Sequence, residues 1–406
     1  MKVLLLNTYL HGGAGIACRR LQAALLESGE SASLLTRDAL HANWPFYAER
    51  LSFLPFERDK SVRFSFSLAN FGKNLAQHPM VQQVDILHLH WINQGFLSLE
   101  NIRQLGALGK PLVWTLHDMW AFTGGCHYSG TCVNFQQSCG NCPYLRRPGK
   151  EDLSYRIWRR KQSLFPDNIQ FVTCSEWLAE VARSSSLLSR YPVCAIPNPI
   201  DTQVYQPAPE SIRAEFRAKL GIAKDANVLL FVAMKVTDTR KGFSFLLDAL
   251  QQLQQDQPGL PVELLVLGRS APEVLAALPY PVHALGLVQD ELQLAQLYNA
   301  ADLFVIPSLE DNLPNTVMEA LACGTPVAGF HTGGIPEMVE HLKAGYIAPQ
   351  GDSKALATGI AWVLTNEKTP LSELRRAARR KAEEHYTNSV VARQYVEVYE
   401  QVLKKP

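Results

Sequence analysis

The chain has 406 residues, of which 47% are hydrophobic and 19% charged, with a formal net charge of +1. That length holds two domains of ordinary size, and that composition excludes a disordered or fibrous chain. The near-neutral balance argues against a nucleic-acid binder, which carries a basic excess, and no apolar run reaches the roughly 18 residues of a membrane span.

The first residues, Met-Lys-Val-Leu-Leu-Leu-Asn-Thr, have no small-residue cleavage site behind them and read as a strand running into a glycine loop rather than a signal peptide. Short apolar runs then recur at 3–6, 33–35, 85–90, 112–116, 170–174 and 193–196, and again at 228–232, 262–267, 282–285, 303–307 and 326–329. Each is bounded by Gly, Pro or Asp. Helical periodicity separates them, at 15–27, 245–254, 292–299 and 315–322. Strands alternating with helices predict βαβ units and parallel sheets. The two series are interrupted at 196–209, where Pro197, Pro199, Pro207 and Pro209 remove amide donors and fix φ. We read this as a linker between two doubly wound, Rossmann-like α/β domains facing a cleft. The first domain spans 1–197 and takes back a final helix within 386–406 (389–403 by periodicity); the second spans 198–385. A cytoplasmic location is expected, with the eight cysteines reduced.

In chain order the motifs are Gly12-Gly13-Ala14, Thr115-Leu116-His117-Asp118, Ser175-Glu176-Trp177-Leu178 and Ile196-Pro197-Asn198. They continue with Lys235, Lys241-Gly242, Gly286-Leu287-Val288, Ala301-Asp302 and Pro307-Ser308. Asp311, the run from Glu319 to Val327, and Gly333-Gly334-Ile335-Pro336-Glu337 complete the set. Taken together, in this order, they resemble the GT-B retaining glycosyltransferases of family 4 ("group 1"), which build bacterial polysaccharides and glycolipids. The resemblance implies transfer of a hexose-type sugar, with retention, from a nucleotide-sugar donor to the hydroxyl of a glycan or lipid-linked acceptor.

A diphosphate leaving group needs positive charge and N–H donors where negative charge develops. Lys235 and Lys241 follow a second-domain strand, at the carboxyl edge where doubly wound folds bind ligands. In the family these positions resemble an Arg and a Lys that grip the two phosphates. Lys235 in place of Arg offers a point charge rather than a fork, and Arg240 is an alternative source. By itself Thr239-Arg240-Lys241-Gly242 also reads as a solvated turn. Asn312-Leu313-Pro314-Asn315 reads as a helix start with Asn312 or Thr316 as cap, its amides open to a phosphate. The resemblance implies that Asp311 meets the donor sugar's hydroxyls and Glu319 the ribose. The family's usual residue at 311 is Glu, so Glu310 is an alternative contact. It also places Gly12 and Gly13 over the donor phosphates and His117 near the anomeric centre. In this fold the leaving phosphate is thought to accept the acceptor's proton, so no catalytic cofactor or divalent metal is implied.

His88 and His90 share one strand face and are assigned to structure. No Ser/His/Asp set, Walker loop or His-Glu-x-x-His is found. The stretch 145–162 interleaves Arg146, Arg147, Lys150, Arg156, Arg159, Arg160 and Lys161 with Tyr155, Ile157 and Trp158. It reads either as a solvated helix face or as a peripheral contact with anionic lipid at the inner face of the membrane. Cys126, Cys132, Cys139 and Cys142, spaced C-x5-C-x6-C-x2-C in a long irregular loop, are a candidate structural zinc site, with His127 as a substitute ligand. Reduced core thiols or disulfides are the alternatives there. Two other functions remain open: a catalytically silent sugar-nucleotide-binding subunit and a GT-B epimerase.

Overall fold

The computed structural model describes residues 1–40 and 43–404. The chain divides into two compact units, residues 1–199 with 388–406, and residues 200–387. The first contains β1 (Lys2–Asn7), β2 (Ser31–Thr36), β3 (Ile86–Leu89), β4 (Leu112–Leu116), β5 (Ile169–Thr173) and β6 (Val193–Ala195). The second contains β7 (Asn227–Lys235), β8 (Val262–Arg269), β9 (Val282–Gly286), β10 (Leu303–Ile306), β11 (Val327–Phe330) and β12 (Gly345–Ala348).

All pairings between these strands are parallel, in the orders β2-β1-β3-β4-β5-β6 and β12-β11-β10-β7-β8-β9. Parallel strands are covered on both faces and so become continuous apolar runs; every residue of β3, β4, β5, β10 and β11 is buried. Each order reverses once, between β1 and β3 and between β7 and β10. At such a reversal neighbouring loops diverge, and doubly wound folds bind ligands there.

Several differences from the sequence reading have local causes. β7 runs on through Ala233 to Lys235, past a register shift after Val232, so its exposed end at Met234 and Lys235 hides its length. The short edge strand β12 lies outside any long apolar run and was not expected. The motif Ser175–Leu178 is a helix start: Ser175 Oγ accepts the Leu178 amide at 3.1 Å, capping the helix Glu176–Ser184.

The final helix, Asn388–Lys404, belongs to the first unit. It buries Val391, Ala392, Tyr395, Val398, Tyr399 and Val402, one face at helical spacing, against Val3, Leu5 and Leu21. Tyr399 OH meets His88 Nδ1 at 2.7 Å, and Thr115 Oγ1 joins both His88 Nε2 (2.8 Å) and Tyr395 OH (2.9 Å). His88 is thus a packed, hydrogen-bonded core residue.

In the second unit buried Asp302 anchors the start of β10. Its carboxylate accepts the Val228 amide at 2.9 Å and pairs with Arg213 (3.1 Å), Arg217 (2.8 Å) and Arg375 (3.3 Å). Removing one partner of a buried network leaves the other charges uncompensated. Asp302→Ala is therefore expected to cost about 3–5 kcal/mol, read as a lowered denaturant midpoint; an unchanged midpoint contradicts this role.

Candidate functional site

In the second unit the loops leaving β7, β10 and β11 are laced together. Gly242 ends the 3-10 turn Thr239–Lys241 at φ +68°, where a Cβ would stand 1.8 Å from the Pro307 carbonyl oxygen. Beside it the Leu309 amide donates to Arg240 O at 2.8 Å. Gly333, at φ +53°, packs its backbone on Asp311, and the Gly334 amide donates to Asn312 O at 2.7 Å. Only glycine allows these two approaches.

The result brings Lys241 Nζ within 2.7 Å of Asp311 Oδ2. Both are only partly exposed. The next residues enter the helix Asn315–Ala322 through Pro314 at the N-cap. The N-cap position falls to Pro314, not to Asn312 or Thr316 as expected. A helix N-terminus presents its dipole to an anion. Asn312, Leu313 and Pro314 are buried. About one turn into the helix, buried Glu319 accepts the Tyr298 hydroxyl at 2.9 Å, a contact the sequence did not signal.

The remaining cations differ. Arg240 is held by Asp238 at 2.8 Å, and Asp238 also caps the turn. Lys235 lies exposed at the end of β7. Glu310 is half-buried, and loss of solvent raises its carboxyl above the usual range. The hydroxyls of Ser308 and Thr332, at the ends of β10 and β11, are buried without a partner among the described residues.

In the first unit the corresponding reversal joins the loops after β1 and β3. Thr8 donates through N and Oγ1 to Trp91 O at 2.8 and 2.9 Å, and the Trp91 amide donates to Asn7 Oδ1 at 2.9 Å. Gly12 takes φ +74° to open the helix Gly12–Glu27, and added Cβ atoms at Gly12 and Gly13 would meet open space. Gly15 is the tight one, 2.6 Å from Tyr9 O. His117 Nε2 stands 3.0 Å from His90 Nδ1, while its Nδ1 faces the Cys174 sulfur at 3.5 Å.

Asp118 is the organiser of the following loop. Its carboxylate accepts His127 Nδ1 (2.6 Å), Trp91 Nε1 (2.8 Å) and the Trp120 amide (2.8 Å). Burial opposes its charge, but these bonds hold the carboxyl below its ordinary range. His127 Nε2 in turn meets Ser67 Oγ at 2.9 Å. A Ser/His/Asp chain is therefore present, contrary to the sequence reading, because residues distant along the chain fold together. Ser67 and His127 are both buried, so the chain ties segments rather than presenting a nucleophile. With both ring nitrogens engaged, His127 is not a substitute metal ligand.

The stretch 145–162 also differs from expectation. Within the helix Leu153–Leu164, Ile157, Trp158 and Lys161 point inward. Lys161 is fully buried, donates to Trp120 O and to Thr123 O (3.0 Å), and lies 3.5 Å over the Trp120 ring. The interleaved apolar groups are core, not a lipid-facing surface.

Two doubly wound units, each with a laced loop pair at its strand reversal, define a GT-B type α/β protein. Residues 11–204 match the Glycosyltransferase Family 4 model and residues 226–366 the model of Glycosyl transferases group 1. A phosphatidyl-myo-inositol mannosyltransferase from Mycobacterium leprae is 31% identical over 84% of this chain and 81% of its own length. The chain belongs to this glycosyltransferase family. A putative colanic acid biosynthesis glycosyl transferase of Escherichia coli is 28% identical, over 64% of this chain and 62% of that one. The chain spans about half the length of two D-inositol 3-phosphate glycosyltransferases that it also matches. Among solved structures, Anabaena HepE in complex with UDP superposes with a TM-score of 0.64 at 17% identity, covering 99% of this chain and 100% of HepE. Among the described residues no helix is long and apolar enough to cross a membrane.

The histidine row carries a pH dependence. Burial lowers the His88 pKa to about 3 and that of His90 well below its ordinary value. Unfolded histidines titrate near 6.5. Between that value and the lowered folded values the unfolded chain binds protons that the folded one does not, so stability falls as pH drops. Each buried histidine adds a slope of up to about 1.4 kcal/mol per pH unit. Melting temperature is expected to decline from pH 6.5 towards pH 4, and less so in His88→Gln; an equal decline in that folded variant removes His88 as the source.

Proposed function

We propose that the chain transfers a hexose-type sugar, with retention, from a nucleoside-diphosphate donor to an acceptor hydroxyl on a glycan or lipid-linked glycan precursor. The observation that carries this reading is the Lys241–Asp311 contact at 2.7 Å, placed at the β7/β10 reversal beside the N-terminus of the helix Asn315–Ala322. An ammonium and a helix dipole suit a departing diphosphate, whose charge grows as the glycosidic bond breaks. The carboxylate of Asp311 suits the donor sugar's hydroxyls, and Glu319, held by Tyr298, suits the ribose. Lys235, Arg240, Glu310 and the 312–315 segment complete the donor side, and Gly12, Gly13 and His117 serve the first unit. The cations and the dipole take the part that a divalent metal plays elsewhere. HepE, with UDP and UDP-glucose in its solved structures, supports a nucleotide-sugar donor.

Removing one such electrostatic donor costs about 100–1000-fold in turnover. Lys241→Ala is expected to lose activity on that scale, measured as nucleoside diphosphate released from a panel of nucleotide sugars with acceptor present. Near-normal turnover of the folded variant contradicts the assignment. Binding of the sugar nucleotide without transfer or epimerisation would favour a silent subunit.

A lipid-linked acceptor has independent support in the first unit. Trp44, Tyr47, Leu51 and Leu54 are exposed, and their spacing places them along one side of the helix Trp44–Phe53 and its exit. The bridge between Glu57 and Leu145, with Arg146 donating its amide to Phe56 O at 2.9 Å, sets basic Arg146 and Arg147 next to exposed Phe56. Aromatic side chains bordered by arginines suit an anionic membrane surface. Replacing Trp44 and Leu51 by Ser removes apolar groups worth about 2 kcal/mol each when buried. Co-sedimentation with phosphatidylglycerol vesicles is expected to weaken tenfold or more; unchanged sedimentation contradicts this surface.

A further inference from the structure

The loop between β4 and the helix Leu153–Leu164 has only two 3-10 turns, Trp120–Phe122 and Asn134–Gln136, as regular structure. A loop that long needs an internal anchor. Its four cysteines all line one cavity of about 20 Å³, closed in by Thr123 and Phe135. Such a volume holds about one water-sized particle, which suits a single ion and not a multi-iron cluster. All four are free thiols.

Burial raises the thiols of Cys126, Cys139 and Cys142 above their ordinary range, so they keep their protons until a metal displaces them, and one backbone donor already faces a sulfur. The Gly124 amide donates to Cys139 Sγ at 3.0 Å. The Cys139–Cys142 half is a tight turn in which Cys139, Gly140 and Asn141 all have positive φ (53°, 98° and 49°). Asp152, which caps the helix Leu153–Leu164, accepts the Cys142 amide at 2.8 Å and so fixes the turn to that helix. The second observation is Lys161. Its amine is fully buried and makes no ion pair with a carboxylate among the described residues; burial lowers its pKa to about 7, against the acidic groups near it, Cys139, Cys126 and Asp118. A buried cation is costly unless negative charge offsets it.

We propose that Cys126, Cys132, Cys139 and Cys142 form a tetrathiolate site for one zinc ion that orders the loop beside Asp118. Zinc takes a closed shell of four ligands in structural sites. Binding converts four thiols to thiolates, releases their four protons to solvent and leaves a complex of net charge −2. The Lys161 ammonium offsets part of that charge. Among the described residues no three His, Cys, Asp or Glu side chains stand ready-made around a metal point; the thiols ring the cavity and turn inward when the ion enters. His127 stays with Asp118 and Ser67.

Elemental analysis of protein expressed without added metal and dialysed against metal-free buffer tests this, whether or not the chain transfers sugar. About one zinc per chain is expected, falling below about a tenth in a Cys139→Ser, Cys142→Ser variant. Because that variant could fail to fold, the wild-type chain is also stripped with a chelator and titrated with cobalt(II). A tetrahedral four-sulfur spectrum, with the loop thiols protected from alkylation until the metal is removed, is expected. Metal-free protein with freely alkylated loop thiols, loop disulfides by mass spectrometry, or iron in place of zinc overturns the proposal.

Discussion

In a parallel sheet every strand delivers its following loop to the same edge, and only where the strand order reverses do two neighbouring loops part and leave room for a ligand. Both units of this chain are built on that constraint. In the second unit the reversal lies between β7 and β10, whose registered pairs Leu303–Leu229 and Phe304–Leu230 hold the two loops at a fixed spacing. Lys241 and Asp311 are 70 residues apart along the chain and 2.7 Å apart in space for this reason. Gly242 and Gly333 then let neighbouring backbones close to distances that a side chain would forbid.

The two reversals are furnished differently. Around β7, β10 and β11 the groups are charged or hydrogen-bonding: Lys241, Asp311, a helix N-terminus and a carboxylate fixed by Tyr298. Around β3 and β4 they are imidazoles kept neutral by burial, stacked from His88 through His90 to His117 and secured from behind by Tyr395 and Tyr399 of the final helix. A cationic cradle suits a diphosphate, whereas the imidazole row of the first unit is held neutral by burial. The terminal helix matters here because its tyrosines complete the hydrogen bonds of a strand more than 300 residues earlier, His88 to Tyr399 being 311 apart.

Much of this was legible in the sequence, for physical reasons. Fully buried parallel strands must be apolar throughout, so 112–116 and the helix 315–322 could be read to the residue. The proline-rich break located the outgoing boundary to within two residues of Pro199. What failed was whatever depends on partners remote in the chain. The exposed end of β7 looked like a loop, although it continues as a strand beside β8. Lys161 looked like one more surface cation in a basic run, yet it is inside, because its terminal nitrogen lies over the Trp120 ring and finds carbonyls at Trp120 and Thr123. Asp118, His127 and Ser67 carry no shared motif, and only folding brings them into one hydrogen-bonded chain. The Glu319–Tyr298 bond was equally invisible, since Tyr298 lies on a different helix.

The central claim is that the β7/β10 reversal is where a nucleoside diphosphate binds. Hydrogen exchange of the intact chain, followed by mass spectrometry with and without saturating uridine, guanosine, adenosine or thymidine diphosphate, tests it most directly. The account predicts that at least one of these slows exchange in segments 235–243 and 307–319, at the ends of those two strands. Protection confined to other segments, or none with any of the four, would contradict it.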